Sequence, residues 1–437
     1  MLANFLNEAV SAIPPRVSAE LLKKIPRSLF DWKRSSSFRY FVNYAYKNSK
    51  FYKEQFDKFN IDPRKIRAPI DLGDFYTTAE DVAERAEELL CKDPHAVFES
   101  SGTTGRNKRI YMSQEDLDHA GKLDGVGFAL WGIEPEDRVV NAFDFNIWIP
   151  GHLTQRGLEK SRLFTLAAGK SDPMEVYKRI PVYNINVVFG EPTWLIKLTE
   201  IAEEKGAYPL KLIIGGAEAM PEAARAWMEK VWQGAKVKMV YASVECGGVL
   251  GFEVGPECNG YHVNEGDYYI EIANPDKDGY GEVVFTTLGR SVMPLIRYRT
   301  KDISKIVEGT CMCGVRYRKL AKLRGRSDEI VVSAGGNLYP LMFETVLKDV
   351  EGITSDWQIV FKLRGIKEII EFNLETRDGA SMDNVRAKVL DNIKDRYPDM
   401  WKNYSISIFE MEFVPHSAGA LRTDRKLLRL VDRRYAA

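Results

Sequence analysis

Long apolar runs, cysteines and net charge are all scarce in this chain of 437 residues. No hydrophobic stretch approaches the roughly 20 residues that a membrane-spanning helix needs. Lys+Arg and Asp+Glu each total 62, so no excess of positive charge is available to a dedicated nucleic-acid binder. The 5 cysteines cannot all pair within one chain, so a secreted disulfide framework is not expected. Since Met1–Val17 also lacks a signal-peptide pattern, the sequence predicts a cytoplasmic protein without membrane or nucleic-acid partners.

The content that remains is typical of a folded protein with more than one domain. The chain is 45% hydrophobic and 11% aromatic, which excludes a disordered class. Its length exceeds what one hydrophobic core usually supports, so two or more domains are expected.

Strands alternate with helices from Val139 onward. The predicted strands are Val139–Phe145, Asn186–Gly190, Leu210–Ile214 and Lys236–Tyr241, with helices from Pro192 and near Pro221. A strand, a crossover helix and a second strand form the unit of a mostly parallel sheet. The fold class is therefore α/β for this part of the chain.

The pattern changes after Asn264. Tyr268–Ile272 and Glu282–Leu288 are separated by turn signals, which favours an antiparallel, barrel-like segment. A small α+β pattern follows Ser327, with predicted strands Glu329–Ser333, Trp357–Leu363, Glu368–Leu374 and Ser405–Phe413 and helices Leu341–Val350 and Met382–Arg396. We therefore expect a large N-terminal domain at 1–326 and a small C-terminal domain at 327–437.

The segment Ser100–Lys108 concentrates two glycines, two serines and two threonines and ends in basic residues. Glycine backbone can approach a ligand closely, and successive N–H groups and hydroxyls can surround an anion. Such a loop suits a triphosphate, although it lacks the P-loop pattern. On composition alone, a solvated polar turn explains the segment equally well.

Five segments in order resemble the motifs of the adenylate-forming (ANL) superfamily and, within it, of the phenylacetate–CoA ligase family. They are Ser100–Gly105, Tyr241–Glu245, Met293–Asp302, Leu323–Asp328 and Gly419–Asp432. The resemblance implies a two-step reaction, in which a carboxylate attacks the α-phosphate of ATP and a thiol, usually of CoA, then displaces AMP from the acyl-adenylate.

The resemblance also implies a role for individual residues. The residues that it implies would bind ATP are Ser100, Ser101, Gly102, Thr103, Thr104, Gly105, Lys108, Gly216, Ala217, Glu218, Tyr241, Ala242, Asp302 and Arg326. Glu245 would help hold Mg²⁺, and Lys426 would bridge the carboxylate and the α-phosphate. Asp328 would be the hinge of a mobile C-terminal domain, whose Gly335 and Gly336 would shape the thiol tunnel.

The acyl pocket departs from the family pattern. Phenylacetate-activating relatives have a glycine-rich stretch after the strand at Val139–Phe145, whereas this chain has Trp148 and Pro150 there. Phe145, Trp148 and Pro150 are the predicted pocket residues, with His152 nearby. Replacing small residues with Trp148 and Pro150 changes the shape of the pocket, so phenylacetate itself is not the expected substrate. The expected function is that of a ligase for an aryl or otherwise compact carboxylic acid.

Three cysteines and one histidine make a candidate zinc set. Cys311 and Cys313 form a tight thiol pair, and Cys258 and His262 stand upstream. Such a set suits tetrahedral Zn²⁺, and reduced cysteines on two turns are the alternative. Family relatives often carry a similar four-ligand site, which implies a structural zinc.

Each catalytic residue also has a plain structural interpretation. Asp302 can pair with Arg299 or Lys301, Glu245 can cap a helix, and Lys426 can belong to a solvated basic face. Rival functions are the loading of a carrier protein, AMP transfer to a non-thiol acceptor, and ATP binding without catalysis. The resemblance further implies a homodimer.

Overall fold

The computed structural model describes residues 13–100, 107–218, 220, 222–327, 331–364, 367–405, 407–422 and 427–434. The chain forms two compact units: residues 1–220, 228–300 and 304–322 make the first, and 221–227, 301–303 and 323–437 make the second. The described α-helices are α1 (Pro15–Lys24), α2 (Arg27–Asn48), α3 (Lys50–Lys58), α4 (Ala79–Glu84), α5 (Gln114–Leu130), α6 (Ile149–Lys160), α7 (Pro173–Val182), α8 (Pro192–Lys205), α9 (Glu222–Val231), α10 (Pro340–Leu347), α11 (Met382–Arg396) and α12 (Pro398–Ser405).

The strands are short, and most belong to one large sheet. They are β1 (Ala96–Ser100), β2 (Lys108–Met112), β3 (Arg138–Asn141), β4 (Phe164–Ala167), β5 (Val187–Gly190), β6 (Leu212–Gly215), β7 (Lys236–Ser243), β8 (Gly248–Phe252), β9 (Gly260–Val263), β10 (Tyr268–Ala273), β11 (Gly281–Thr287), β12 (Tyr298–Ser304), β13 (Ile306–Val307), β14 (Lys319–Ala321), β15 (Val331–Ser333), β16 (Gly336–Leu338), β17 (Ile353–Arg364), β18 (Lys367–Thr376), β19 (Phe409–His416) and β20 (Leu430–Asp432).

The first unit is built on a nine-stranded sheet with the order β13-β14-β9-β8-β7-β6-β5-β3-β4. Its β4-β3-β5-β6-β7 half is parallel. Every residue of β5 and β6 is buried, as expected for parallel strands covered on both faces. The β7-β8-β9-β14-β13 half is antiparallel. The predicted α/β fold class is confirmed, but the parallel arrangement covers only half of this sheet.

Two smaller β-structures complete the first unit. β10, β11 and β12 form a three-stranded sheet in the region where the sequence predicted an antiparallel segment. β1 and β2 form an antiparallel hairpin that the sequence analysis did not predict, because the polar loop dominates its composition.

The second unit has its own sheet and its own core. The sheet has the order β19-β18-β17-β20, in which β17 and β18 are antiparallel and the outer pairs are parallel. Phe343, Phe361 and Phe372 are fully buried in the core beneath it. The predicted start of the last strand at Ser405 is wrong, because residues 398–405 form helix α12 and β19 begins only at Phe409. Prolines suit a first helical turn, and Pro398 supplies that signal.

Within the part of the chain that the structure describes, no helix combines the length and apolarity needed to cross a membrane.

Candidate active site

The polar loop predicted to bind phosphate joins the two strands of the β1–β2 hairpin. Ser100 and Lys108 are directly opposite each other where the strands end. The predicted residues Ser101, Gly102, Thr103, Thr104 and Gly105 lie outside the described residues. The Ser100 hydroxyl is buried and has no hydrogen-bond partner among the described residues, so a polar ligand at the loop could satisfy it.

Glu245 lies in the turn between β7 and β8, so the alternative role as a helix cap is wrong. Its side chain is only 6% exposed and forms an ion pair with Lys108, which is 19% exposed. Tyr298 also donates a hydrogen bond of 3.2 Å to Glu245 Oε1. Burial raises the pKa of Glu245, but the charge and hydrogen bond of Lys108 outweigh burial and lower it. The carboxylate is therefore ionised and lies beside Lys108, at the start of β2.

A buried arginine that the sequence analysis missed holds the backbone of the Glu245 turn. Arg290 donates to the carbonyl of Glu245 over 2.9 Å and to the carbonyl of Met293 over 2.7 Å. One of its guanidinium nitrogens has no partner among the described residues. Burial lowers the pKa of Arg290, which is the expected direction for a cation removed from water. Arg290 is three residues before the segment Met293–Asp302. Its closeness in sequence to that segment is the one signal that could have marked it as a candidate site residue.

The segment Met293–Asp302, which resembles a family motif, is held in place by contacts with residues of the first unit. The Tyr52 hydroxyl donates to the Pro294 carbonyl over 3.0 Å. Arg297 is buried and pairs with Glu271 over 2.9 Å. Its φ of 51° lies in the left-handed region, which is uncommon for a residue with a side chain. The motif is therefore partly a packing element that positions Tyr298 against Glu245.

The predicted adenine residues lie at the ends of β6 and β7. A Cβ on Gly216 would come within 2.6 Å of the Val240 side chain, so only glycine fits. Ala217 has a φ of 71°, a strained value for alanine. Glu218 accepts a hydrogen bond of 3.2 Å from the Thr193 backbone N–H at the start of α8. Tyr241 is buried and Ala242 is half-buried at the end of β7.

Asp302 and Arg326, the predicted ribose residues, contact each other within the second unit. Arg326 donates to Asp302 Oδ1 over 3.2 Å, and the two residues form a β-bridge. The alternative partner Arg299 instead pairs with Glu282. Asp302 is thus held by the other predicted nucleotide residue.

The predicted catalytic Lys426 and hinge Asp328 lie outside the described residues. The chain on both sides of Lys426 is attached to β17. Before it, Arg422 forms an ion pair with Asp356, and a second contact between them measures 2.9 Å. After it, Arg429 donates to the Trp357 carbonyl over 2.9 Å, and β20 pairs with β17. Two arginines of the predicted basic face therefore have structural partners.

Gly335 lies in the tight turn between β15 and β16, and Gly336 begins β16. A Cβ on Gly335 would lie 3.3–3.4 Å from Leu338 and Ile370, so this turn packs tightly on the core of the second unit. Glu368 accepts a hydrogen bond of 3.1 Å from the Ala334 N–H. The turn predicted to shape the thiol tunnel is therefore fixed from two sides.

Cys258, His262, Cys311 and Cys313 come together, and their ligand atoms all lie within 4.8 Å of one another. The Cys311 and Cys258 sulfurs are 3.6 Å apart, and the Cys313 sulfur lies 3.2 Å from His262 Nε2. These separations are close to the roughly 3.8 Å expected between thiolates around Zn²⁺ at about 2.3 Å. His262 Nδ1 lies 3.2 Å from the Tyr317 carbonyl, which fixes the tautomer that leaves Nε2 free for a metal.

The predicted acyl-pocket residues lie at the start of α6. Trp148 precedes that helix, and Pro150 is in its first turn. The ring centroids of Phe145 and His152 are 5.5 Å apart. An apolar cavity of about 60 Å³ lies nearby in the same unit, and Phe143 and Thr154 are among the residues that line it. The three predicted pocket residues are not among them.

Comparisons with known proteins identify the family of the chain. Residues 45–278, more than half of the chain, match the family described as AMP-binding enzyme. A phenylacetate-coenzyme A ligase of Thermus thermophilus is 25% identical over 82% of this chain and 84% of its own length. Another, of Aromatoleum evansii, is 28% identical over 70% of this chain and 72% of its own.

A solved structure shows the same fold across nearly the whole chain. The structure of 2-hydroxyisobutyryl-CoA ligase in the postadenylation state is 18% identical, has a TM-score of 0.80 and covers 94% of this chain and 91% of its own. The predicted resemblance to adenylate-forming, phenylacetate–CoA ligase-like enzymes is confirmed. The chain belongs to the AMP-binding enzyme family.

Proposed function

We propose that this protein is an AMP-forming ligase that joins a carboxylic acid to the thiol of CoA. The observation that carries the proposal is the buried, ionised Glu245 beside Lys108 at the end of the β1–β2 hairpin. A hard carboxylate oxygen is the ligand that Mg²⁺ prefers, and a cationic side chain beside it suits the phosphates of ATP. The curated relatives over most of the chain are named acid–CoA ligases.

Adenylation needs positive charge and donors around the triphosphate. In our proposal Ser100, the loop 101–105 and Lys108 bind the outer phosphates, and Glu245 holds Mg²⁺. Bound Mg²⁺ would polarise the phosphate oxygens where charge develops. Lys108 pairs with Glu245 in the structure, and its position at the start of β2 would also let its charge face the phosphates.

The other nucleotide contacts in this proposal are to the adenine and the ribose. Gly216, Ala217, Glu218, Tyr241 and Ala242 would line the adenine. Asp302 would accept hydrogen bonds from the ribose, with Arg326 near the same sugar, as their mutual contact permits.

The small domain, which we assign to 327–437, would carry Lys426 to the attacking carboxylate. Asp328 would be the hinge about which the small domain rotates between the two half-reactions. Gly335 and Gly336 would shape the tunnel through which the thiol reaches the acyl-adenylate. Arg422 and Arg429, which flank Lys426 in the sequence, are both attached to β17.

We propose that Cys258, His262, Cys311 and Cys313 hold a structural Zn²⁺. Three thiols and one imidazole are the donors of a closed structural site, which leaves no position for a substrate. The donor atoms lie close enough to share one ion. The metal would join the Cys258 turn to the loop before β14.

The acid in this proposal is an aryl or otherwise compact carboxylic acid, and the protein acts in the cytoplasm as a homodimer. The apolar cavity near α6 supports a compact acid, because its volume is about 60 Å³. A carrier-protein thiol is the alternative acceptor.

Acid-dependent exchange of pyrophosphate into ATP tests the first half-reaction. The assay uses pools of aryl, arylalkyl and short aliphatic acids with Mg²⁺. Exchange with one pool, lost in Lys426→Ala but kept in the exposed control Lys402→Ala, is the expected result. CoA and a carrier protein are then compared as acceptors of the acyl group. A folded protein that binds ATP and exchanges with no pool would contradict the proposal.

A further inference from the structure

The apolar cavity of the first unit contains one acidic side chain. Helix α5 lines one side through Leu123, Asp124 and Phe128, and the sheet lines another through Phe189 and Val240. One water molecule needs roughly 10–15 Å³, so a volume of about 60 Å³ has room for a small organic group. A carboxyl group is an unusual component of such an apolar wall.

Asp124 has no hydrogen bond or ion pair with any of the residues that the structure describes, although it is only 8% exposed. Burying a polar group without a partner costs free energy, so native proteins rarely retain one without a reason. Asp116, two turns earlier on α5, shows the usual arrangement. It is equally buried but accepts hydrogen bonds from the N–H groups of Ser113 and Ser291, each over 3.0 Å.

Two residues that line the cavity also lie beside the predicted adenine segment. A Cβ on Gly216 would lie 2.6 Å from Val240 and 3.4 Å from Phe143, and both of these residues line the cavity. Gly216, at the start of the predicted adenine segment, therefore packs against two residues of the cavity wall. An acid bound with its carboxylate at the nucleotide side would place its body in this cavity.

A second, polar cavity adjoins the first. The two share Leu123, Val249 and Asn264 as lining residues, and the polar cavity continues along α5 to His119. His119 lies 2.9 Å from Asp267, and this neighbour raises the pKa of His119. His119 and Asp267 thus satisfy each other, whereas Asp124 in the first cavity has no such partner among the described residues.

We propose that Asp124 selects an acid that carries a hydrogen-bond donor, a hydroxyl or amino group, on a compact apolar body. This inference rests on the proposed ligase function. A donor on the substrate would satisfy the buried carboxyl group, whereas an unsubstituted acid would leave it without a partner. Sites built to bond a polar substituent reject the analogue that lacks it far more strongly than apolar sites separate shapes. Asp124 is therefore a specificity-determining residue.

The test compares acids in matched pairs with and without the donor, in the pyrophosphate-exchange assay. Suitable pairs are benzoate, phenylacetate and butyrate, each with its hydroxylated and amino-substituted forms. Wild-type protein is expected to favour the substituted member of at least one pair by about 10-fold or more in kcat/KM. Asp124→Leu should reverse that preference, and the shape-conserving Asp124→Asn should reduce it.

Asp118→Asn is the matched control, because Asp118 is on the same helix but pairs with Arg156 at the surface. It should leave the preference unchanged. Exchange that is equal for both members of every pair would overturn this inference while the ligase function stands. The same holds for a preference that both Asp124 variants retain. Absence of exchange with every acid would instead count against the ligase function. If neither variant folds, the wild-type preference alone decides.

Discussion

Lys108 and Glu245 form an ion pair at the end of the β1–β2 hairpin, with side-chain exposures of 19% and 6%. Burial raises the pKa of Glu245, but the charge and hydrogen bond of Lys108, together with hydrogen bonds from the backbone and Ser243, lower it overall. Since that pKa is lower in the folded state, the pair stabilises the protein above the unfolded pKa near 4.5 and loses this contribution as pH falls through the folded pKa. A residue pair proposed for catalysis therefore also contributes to folding.

Replacing Lys108 by Met should destabilise the protein, because it leaves the Glu245 carboxylate buried without a counter-charge. We expect a loss of about 2–3 kcal/mol in the free energy of unfolding, below the range for a fully buried pair because Lys108 is partly exposed. Urea unfolding at neutral pH measures the change. The double variant Lys108→Met with Glu245→Gln should recover part of the loss. Equal destabilisation in both proteins would mean that the ion pair is not the cause.

Asp356 is predicted to act on adenylation through Lys426. Its ion pair with Arg422 attaches the chain before Lys426 to β17, so Asp356→Asn should loosen that attachment. We expect the rate of adenylation to fall about 10-fold or more, while Lys426→Ala costs several orders of magnitude. Thioester formation from supplied acyl-adenylate should survive in both variants. Single-turnover assays of each half-reaction measure this, and an equal loss in both half-reactions would assign Asp356 and Lys426 only a structural role.

The sequence predicted the elements with strong local patterns. Helix α11 spans Met382–Arg396 as predicted, because apolar spacing and the Ser381 cap both indicate it. The two fully buried strands β5 and β6 also appear close to their predicted positions. The hairpin β1–β2 was missed, because its strands are short and the loop between them is rich in turn residues.

Contacts between residues distant in the chain were the part that the sequence could not supply. The Lys108–Glu245 pair joins residues on a hairpin and a turn that the sheet topology brings together. Arg290 and Asp124 are ordinary charged residues in the sequence, and only burial distinguishes them. Periodicity reports which helix face is buried, but it does not report whether a polar residue on that face has a partner.

Removal of zinc should destabilise the protein without disabling its chemistry. We expect near-stoichiometric zinc in purified protein, and a melting temperature that falls on chelation and returns on adding Zn²⁺. Cys313→Ser should reproduce the chelated state, because Cys313 contacts His262 Nε2. Cys91→Ser is the matched control, since Cys91 is outside the cluster. Metal analysis without zinc near stoichiometry would reject the site.

The stability of the protein should depend on pH through Asp124. Burial raises the pKa of Asp124 from 3.8 to about 7. Between these values the folded state binds the proton more tightly than the unfolded state, so stability falls as pH rises. Asn cannot ionise, so the free energy of unfolding of Asp124→Asn relative to that of wild type should rise with pH across this range. The difference should grow by up to about 1.4 kcal/mol per pH unit and level off above about pH 7.

Chemical unfolding of both proteins between about pH 4 and pH 8, without any added acid, measures that difference. Asp118→Asn is again the control, because Asp118 is at the surface and the neighbouring Arg156 and Lys160 help to lower its pKa. Its difference from wild type should not grow in the same direction. A difference between Asp124→Asn and wild type that stays constant with pH would show that the carboxyl group keeps an ordinary pKa. The cavity would then be open to water around Asp124, and the carboxyl group could meet its hydrogen bonds without a substrate.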